Sequence, residues 1–502
     1  MGSIDRLRLA FTGDLTLADL AERIGAAHGS RMLVATPSGS TWTGADIAAT
    51  VETWAAGIAG RIDAGDRVVI RAPNGVEFFL ACLAVCRAGG IAVPVNDKMR
   101  KAEIDHVVAD SGATLILDDL RALTSESRQK GSAPTVFVEA DDVAAIFYTS
   151  GTTGLPKGAR LTHKGLLAGL RRSAAMPTSL RDDEAVFALP IAHIMGFVGL
   201  LGLMLSGVRA YVLPKFNPVE VLDAIESRRS SLFIGVPTMF RMMVEAGAEQ
   251  RDLKSVRVWM SGADAMPPDL ARAFQRMGAT VTLPFVGSVG EALFVEGYGM
   301  VELAGGVAFK VTPPFAGGLL SKPIGIPLPS NQLRVVDDDG DEVKIGEIGN
   351  LEVRGPGVLR GYHGNEAATK DAVTSDGWLR TGDLARRAML GTVEFAGRAK
   401  DVIKVGGYSV FAAEVQAVLE QFEGVAEASV VGLDDVRLGQ VPAAALRREA
   451  GAVIDVDAVA AFAAEKLAAY KLPTRWLVVD ELPRTGTEKV QRAEVRALFT
   501  GS

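Results

Sequence analysis

The chain is predicted to be α/β: a large N-terminal domain of layered α/β subdomains plus a small barrel-like β subdomain, followed by a small C-terminal α+β domain. Three observations predict it. Short β-rich runs alternate with longer helical runs. The early strands are near-continuously apolar, the texture of buried parallel sheets. From about Pro323 the strands shorten and Asp/Gly turns separate them, which favours antiparallel pairing. In order, Arg67 begins a strand, residues 75–88 a helix, Gly90 a strand, residues 101–110 a helix and Ala113 a strand. The rhythm recurs at Leu189, Ala210, Leu232 and Val256. Short strands follow at Gln332, Gly349 and Thr392. The last unit holds helices near residues 412–421 and 456–469 and strands at Glu427, Val441 and Arg475, with its boundary in the charged turn 397–401. The division is therefore 1–397 and 398–502.

The 502 residues are 48% hydrophobic and 23% charged, which excludes disorder, and no triplet repeat suggests collagen. Fifty-three Lys+Arg against 60 Asp+Glu give a net charge of −7 with mixed signs, which argues against a dedicated nucleic-acid binder. Cys82 and Cys86 sit one turn apart in an apolar helix, a spacing that suits packing better than a disulfide or zinc. The first residues lack a signal-peptide pattern, so a reducing, cytoplasmic location is expected. Residues 185–208 carry no Lys, Arg, Asp or Glu, but Pro190 and His193 interrupt the run, so a buried core helix is expected rather than a membrane span.

The strongest local signal is residues 148–158, YTSGTTGLPKG, directly after the apolar run VAAIF. Glycines let consecutive N–H groups turn into one concavity, hydroxyls add short donors and Lys157 adds charge, all of which suits a polyphosphate. Lys157 is followed by Gly, so the Walker pattern is not met. A solvated turn is the competing reading of such a loop taken alone.

This string resembles the phosphate-loop signature of the adenylate-forming superfamily, which includes acyl-CoA synthetases, non-ribosomal adenylation domains and firefly luciferase. Four further motifs follow in family order: EGYGMVE at 296–302, DGWLRTGDL at 376–384, GRAKDVIKVGGYSVFAAEV at 397–415 and PRTGTEKVQR at 483–492. The resemblance implies that a carboxylate is activated by ATP to an acyl-adenylate with release of pyrophosphate, after which a thiol, commonly CoA, displaces AMP. It implies that Thr149, Ser150, Gly151, Thr152, Thr153, Gly154 and Lys157 hold phosphates and that Glu302 ligates Mg²⁺. Tyr298, Gly299, Met300 and Val301, with Gly262 and Ala263, would bound the nucleotide, Asp383 would meet its ribose, and Arg398 would reach the same ribose or phosphate region. Lys400 falls at the hinge about which a mobile C-terminal domain turns, presenting Lys489 for adenylation and Gly406-Gly407 for thioester formation. His193 matches the acyl-pocket position; a buried structural histidine is an equal reading.

The sequence departs from the pattern twice. Val301 replaces the usual threonine, a lost donor that can cost roughly 2.7–4 kcal/mol of barrier at a preorganised site. Glu488 replaces the usual glycine before Lys489. Residues 283–295 look longer than the usual link and read either as a hairpin beside the acyl pocket or as an exposed ornament. The apolar surroundings of His193 (Ile194, Met195, Phe197, and residues 236–240) favour an apolar or aryl acid, fatty acids first. The expected partners are the acid, ATP and CoA, with no nucleic acid and no transmembrane segment, and a homodimer is compatible. A carrier protein as acceptor, an enzyme stopping at the adenylate, and a non-catalytic acyl or nucleotide binder are the alternatives.

Overall fold

The computed structural model describes residues 5, 9–11, 13–97, 99–127, 131–149, 156–175, 183–283, 285, 287–313, 324–389, 392–449, 451–484 and 490–500. They group into two compact units: 1–332 with 353–379, and 333–352 with 380–502.

Two sheets build the first unit. In the five-stranded one, Leu115–Leu117, Arg67–Ile70, Ile91–Pro94 and Val143–Thr149 run parallel, and Lys157–Thr162 closes the edge antiparallel to Val143–Thr149. The apolar helix Val76–Arg87 lies in the core with every residue from Phe78 to Cys86 buried. Its complete apolarity follows from being covered on all sides, unlike an amphipathic surface helix.

The second sheet has nine strands. Its centre is parallel: Arg209–Val212, Glu184–Phe187, Leu232–Gly235, Val258–Gly262 and Leu293–Met300, in that spatial order. Gly305–Thr312 then pairs antiparallel with Leu293–Met300. Beneath it, Phe240 touches the rings of Phe233, Trp259, Phe274 and Phe294 at centroid distances of 4.9–6.1 Å. Glu184 is buried at the sheet's end and accepts from both Arg228 nitrogens at 2.7 and 2.8 Å, so its charge is matched where it is desolvated.

The uncharged run folds as expected, into the strand Glu184–Phe187 and the helix Ile194–Ser206, ended by Gly207 in the left-handed conformation. No helix among the described residues is long and apolar enough to cross a membrane. Val281–Leu283 pairs antiparallel with Gly287–Val289, and Phe285 between them is fully exposed. Pro284 and Val286 lie outside the described residues.

In the second unit, Gln332–Val336, Ile348–Arg354, Leu379–Arg387 and Val393–Arg398 make a four-stranded sheet. A five-stranded sheet follows, built on the long antiparallel pair Val425–Asp435 and Gly439–Arg448. The helices Ala412–Leu419 and Val456–Lys466 cover it through Val415, Leu419, Val459 and Ala463, all fully buried.

Candidate active site

The strands Val143–Thr149 and Lys157–Thr162 pair antiparallel with Thr149 opposite Lys157, so the two ends of the loop segment lie side by side. Ser150, Gly151, Thr152, Thr153 and Gly154 lie outside the described residues. Both ends of that segment are fixed by the helix Lys101–Ser111: a His106 ring nitrogen bonds the Pro156 carbonyl at 2.9 Å, and the Tyr148 hydroxyl donates to Asp110 at 2.7 Å. Burial, then the hydrogen bond to Asp110 and its charge, pushes the Tyr148 phenol pKa up, so it stays a donor. Lys157 is exposed, with Nζ 5.4 Å from the centre of the Tyr362 ring.

Tyr298 and Glu302 stand at the end of the strand Leu293–Met300 and in the single 3₁₀ turn Val301–Leu303 that follows. The turn ends with Ala304 at φ 54° and Gly305 at φ 117° and doubles back onto the strand. A Cβ on Gly299 would come within 1.9 Å of the Gly305 carbonyl oxygen, which is why glycine stands there. Val301 is buried. Glu302 is only 8% exposed, and its Oε1 accepts from the Tyr362 hydroxyl at 2.9 Å. Its Oε2 takes no hydrogen bond from any described residue. Among those residues no group of three or more His, Cys, Asp or Glu could hold a metal by itself. A lone buried carboxylate therefore fits a hard cation whose remaining ligands are phosphate oxygens and water, the usual situation for Mg²⁺.

Gly262 ends the neighbouring parallel strand and pairs with Gly297, which brings Gly262 and Ala263 beside Tyr298. Ala263 sits at φ 69°, a conformation that non-glycine residues avoid. His193 caps the helix Ile194–Ser206, its Nδ1 accepting the Met195 N–H at 3.3 Å. This gives the histidine a structural task whatever else it does. Met195 packs its Cε against Gly262, near where a Cβ would sit. Phe197, by contrast, is buried between Phe79 and Phe147, at 5.0 and 5.5 Å. Phe197 and Phe240 are thus occupied in core packing, and the apolar sequence around His193 says less about the acid than it promised.

In the second unit, Asp383 and Arg398 face each other on adjacent antiparallel strands, with Nε 3.0 Å from Oδ1. Asp383 is buried, and its N–H is held by Thr381 Oγ1 at 3.1 Å. Lys400 follows in the turn Ala399–Asp401; burial lowers its pKa, with neighbouring Asp401 opposing. Gly406 and Gly407, at φ 54° and 89°, form the two-residue turn of a hairpin in which Val405 pairs with Tyr408. Two consecutive positive φ values are the type I′ requirement, which glycine meets without strain. Lys489 and Glu488 lie outside the described residues. The chain flanking them is tied down: Arg484 bridges Val490, and the Gln491 N–H donates to the Pro483 carbonyl at 2.8 Å. Arg484 also pairs with buried Glu427.

The structure thus gathers Thr149, Lys157, Tyr298 and Glu302 with their supports in the first unit, and Asp383, Arg398, Lys400 and the Gly406-Gly407 turn in the second. Sequence reasoning missed Tyr362, His106 and Asp110. Tyr362 carries only a faint signal, an aromatic after the glycine of Arg360-Gly361.

Comparison with known proteins supplies the family. The model for AMP-binding enzymes matches residues 21–363, and that for the AMP-binding enzyme C-terminal domain matches residues 414–489. A feruloyl-CoA synthase from Amycolatopsis is 34% identical over 482 residues, 92% of this chain and 94% of its own. A medium-chain fatty-acid–CoA ligase from Escherichia coli is 26% identical over 96% of this chain and 90% of its own. Among solved structures, an O-succinylbenzoate coenzyme A synthetase from Bacillus subtilis in complex with ATP and magnesium ion superposes with a TM-score of 0.80 at 25% identity, over 96% of this chain and all of that one. The chain belongs to the adenylate-forming family of AMP-binding enzymes, among its CoA ligases.

Proposed function

We propose that the chain is an ATP-dependent acyl-CoA ligase that joins an apolar carboxylic acid to AMP, releasing pyrophosphate, and then passes the acyl group to CoA. The observation that carries this reading is the pairing of Gly262 with Gly297, which puts two glycines next to Tyr298 in the sheet, one turn from the buried Glu302. ATP, Mg²⁺ and CoA are the cofactor and co-substrates. Mg²⁺, when bound, neutralises phosphate charge.

The chain's own groups supply the rest. Thr149 and Lys157, with the residues between, hold the β- and γ-phosphates, Lys157 as a point charge. Tyr298 and the Gly262-Ala263 backbone bound the base. Gly299 lets the chain approach the nucleotide, and Met300 and Val301 line that approach. Asp383 accepts from the ribose hydroxyls, with Arg398 keeping its carboxylate oriented. Residues 398–502 turn about Lys400, bringing Lys489 to the α-phosphate in one state and the Gly406-Gly407 turn to the thiol in the other. His193 caps its helix at the acid-binding end.

For the acid itself, aryl and aliphatic substrates both stand. The relatives named for feruloyl and medium-chain fatty acyl groups span that range, and a fatty acid is the first choice to test. A pyrophosphate-release screen with ferulate, octanoate, palmitate, malonate and amino acids tests this. Turnover of ferulate or the fatty acids is expected, and preference for malonate or an amino acid defeats it. Lys489→Ala is expected to slow adenylation by roughly 10²–10³-fold, the scale of one lost electrostatic contact at a preorganised site. ATP affinity should remain nearly intact; an unaffected rate would take Lys489 out of the catalytic set, and absence of adenylation in the wild type would favour the non-catalytic binder.

A further inference from the structure

Tyr362 is far in sequence from the motifs at 148–158 and 296–302, yet it touches both. It lies on a strip laced to the strand Lys157–Thr162. The Arg360 N–H donates to the Arg160 carbonyl at 2.9 Å, the Arg160 N–H to the Gly361 carbonyl at 3.1 Å, and the His363 N–H to the Gly158 carbonyl at 2.7 Å. The Tyr362 N–H is taken by Thr369 Oγ1 at 2.9 Å. A backbone held at so many points gives the side chain a fixed origin. From there the hydroxyl reaches Glu302 Oε1 at 2.9 Å across 60 residues of sequence, and the ring face lies 5.4 Å from Lys157 Nζ.

The two contacts use different parts of one side chain. An ionised carboxylate can only accept, so the phenol must donate, and a donor on Oε1 fixes the plane of the carboxylate and the direction of Oε2. The ring face attracts the ammonium through its quadrupole and limits where it swings.

We propose that Tyr362 is a positioning residue that locks the Glu302 carboxylate for Mg²⁺ and, through its ring, sets the phosphate-loop lysine in register with that carboxylate. The proposal rests on Glu302 being the metal ligand and Lys157 a phosphate ligand. It adds a residue that would touch neither metal nor nucleotide.

The test uses Mn²⁺ as the probe, titrated into the full-length protein with ATP and followed by electron paramagnetic resonance, with metal-free ATP affinity measured in parallel in EDTA. Tyr362→Phe keeps the ring and removes the hydroxyl. It is expected to weaken Mn²⁺ binding about tenfold, the scale of one hydrogen bond to a charged group, while metal-free ATP binds as in the wild type. Tyr362→Leu removes the ring as well and should also weaken metal-free ATP. In a Glu302→Gln background, Tyr362→Phe should add nothing. Unchanged Mn²⁺ affinity in Tyr362→Phe, or an equal loss of metal-free ATP in both variants, overturns the proposal. If Glu302→Gln alone leaves Mn²⁺ binding intact, the metal-ligand reading fails first and takes the coupling with it.

Discussion

Two glycine turns, both singled out by motif, are glycine for opposite reasons. At Gly299 the chain is crowded: a Cβ would collide with the Gly305 carbonyl oxygen at 1.9 Å. At Gly407 it is open: nothing lies within 4 Å of a Cβ, but φ is 89°. The first glycine answers to its neighbours, the second to its own backbone. A motif reports only that glycine is present; the structure tells which substitution each place would forgive.

Breaking the crowded turn should have the larger effect. Gly299→Ala is expected to cost about 3 kcal/mol, the upper end for overpacking, because the clashing atom is backbone and cannot rotate away. A urea midpoint unchanged from wild type would show that the turn can open, and would end the contrast. Gly407→Ala should cost about 1–2 kcal/mol, the penalty for an L-residue in the left-handed region. It should slow thioester formation from supplied acyl-adenylate while sparing pyrophosphate release. The sharpest variant is Gly407→Asn. Asparagine visits that region readily, so the loss should fall to about half that of alanine; at Gly299 asparagine should be no better than alanine. Equal costs for Ala and Asn at Gly407 would mean that space matters there too.

The same contrast explains what the sequence made legible. Apolar runs and their breakers revealed the core helix Ile194–Ser206 and the strands around it, because burial leaves its pattern locally. The hairpin was half legible: the length of residues 283–295 suggested one, but nothing in the string tells that Phe285 ends up fully exposed. The motif residues were read through resemblance, and the described ones fall in one unit or the other. The Tyr362 hydroxyl and the His106 contact escaped because each joins segments fifty or more residues apart, and no local period encodes such a meeting. Phe197 and Phe240 misled in the other direction. Apolar residues beside a pocket motif look like lining, but aromatic side chains bury large areas and are drawn into cores first.

The helix Val76–Arg87 holds both cysteines of the chain with no exposed surface to speak of. Burial pushes Cys86 up to about 12 and raises Cys82 as well, and the Cys86 thiol donates to the Ala144 carbonyl at 3.4 Å. Since the thiolate is the reactive form, an alkylating reagent at neutral pH must wait for this helix to open. The two sulfurs therefore act as a chemical clock sealed inside the five-stranded sheet body, and the pace of their disappearance counts how often that body comes apart.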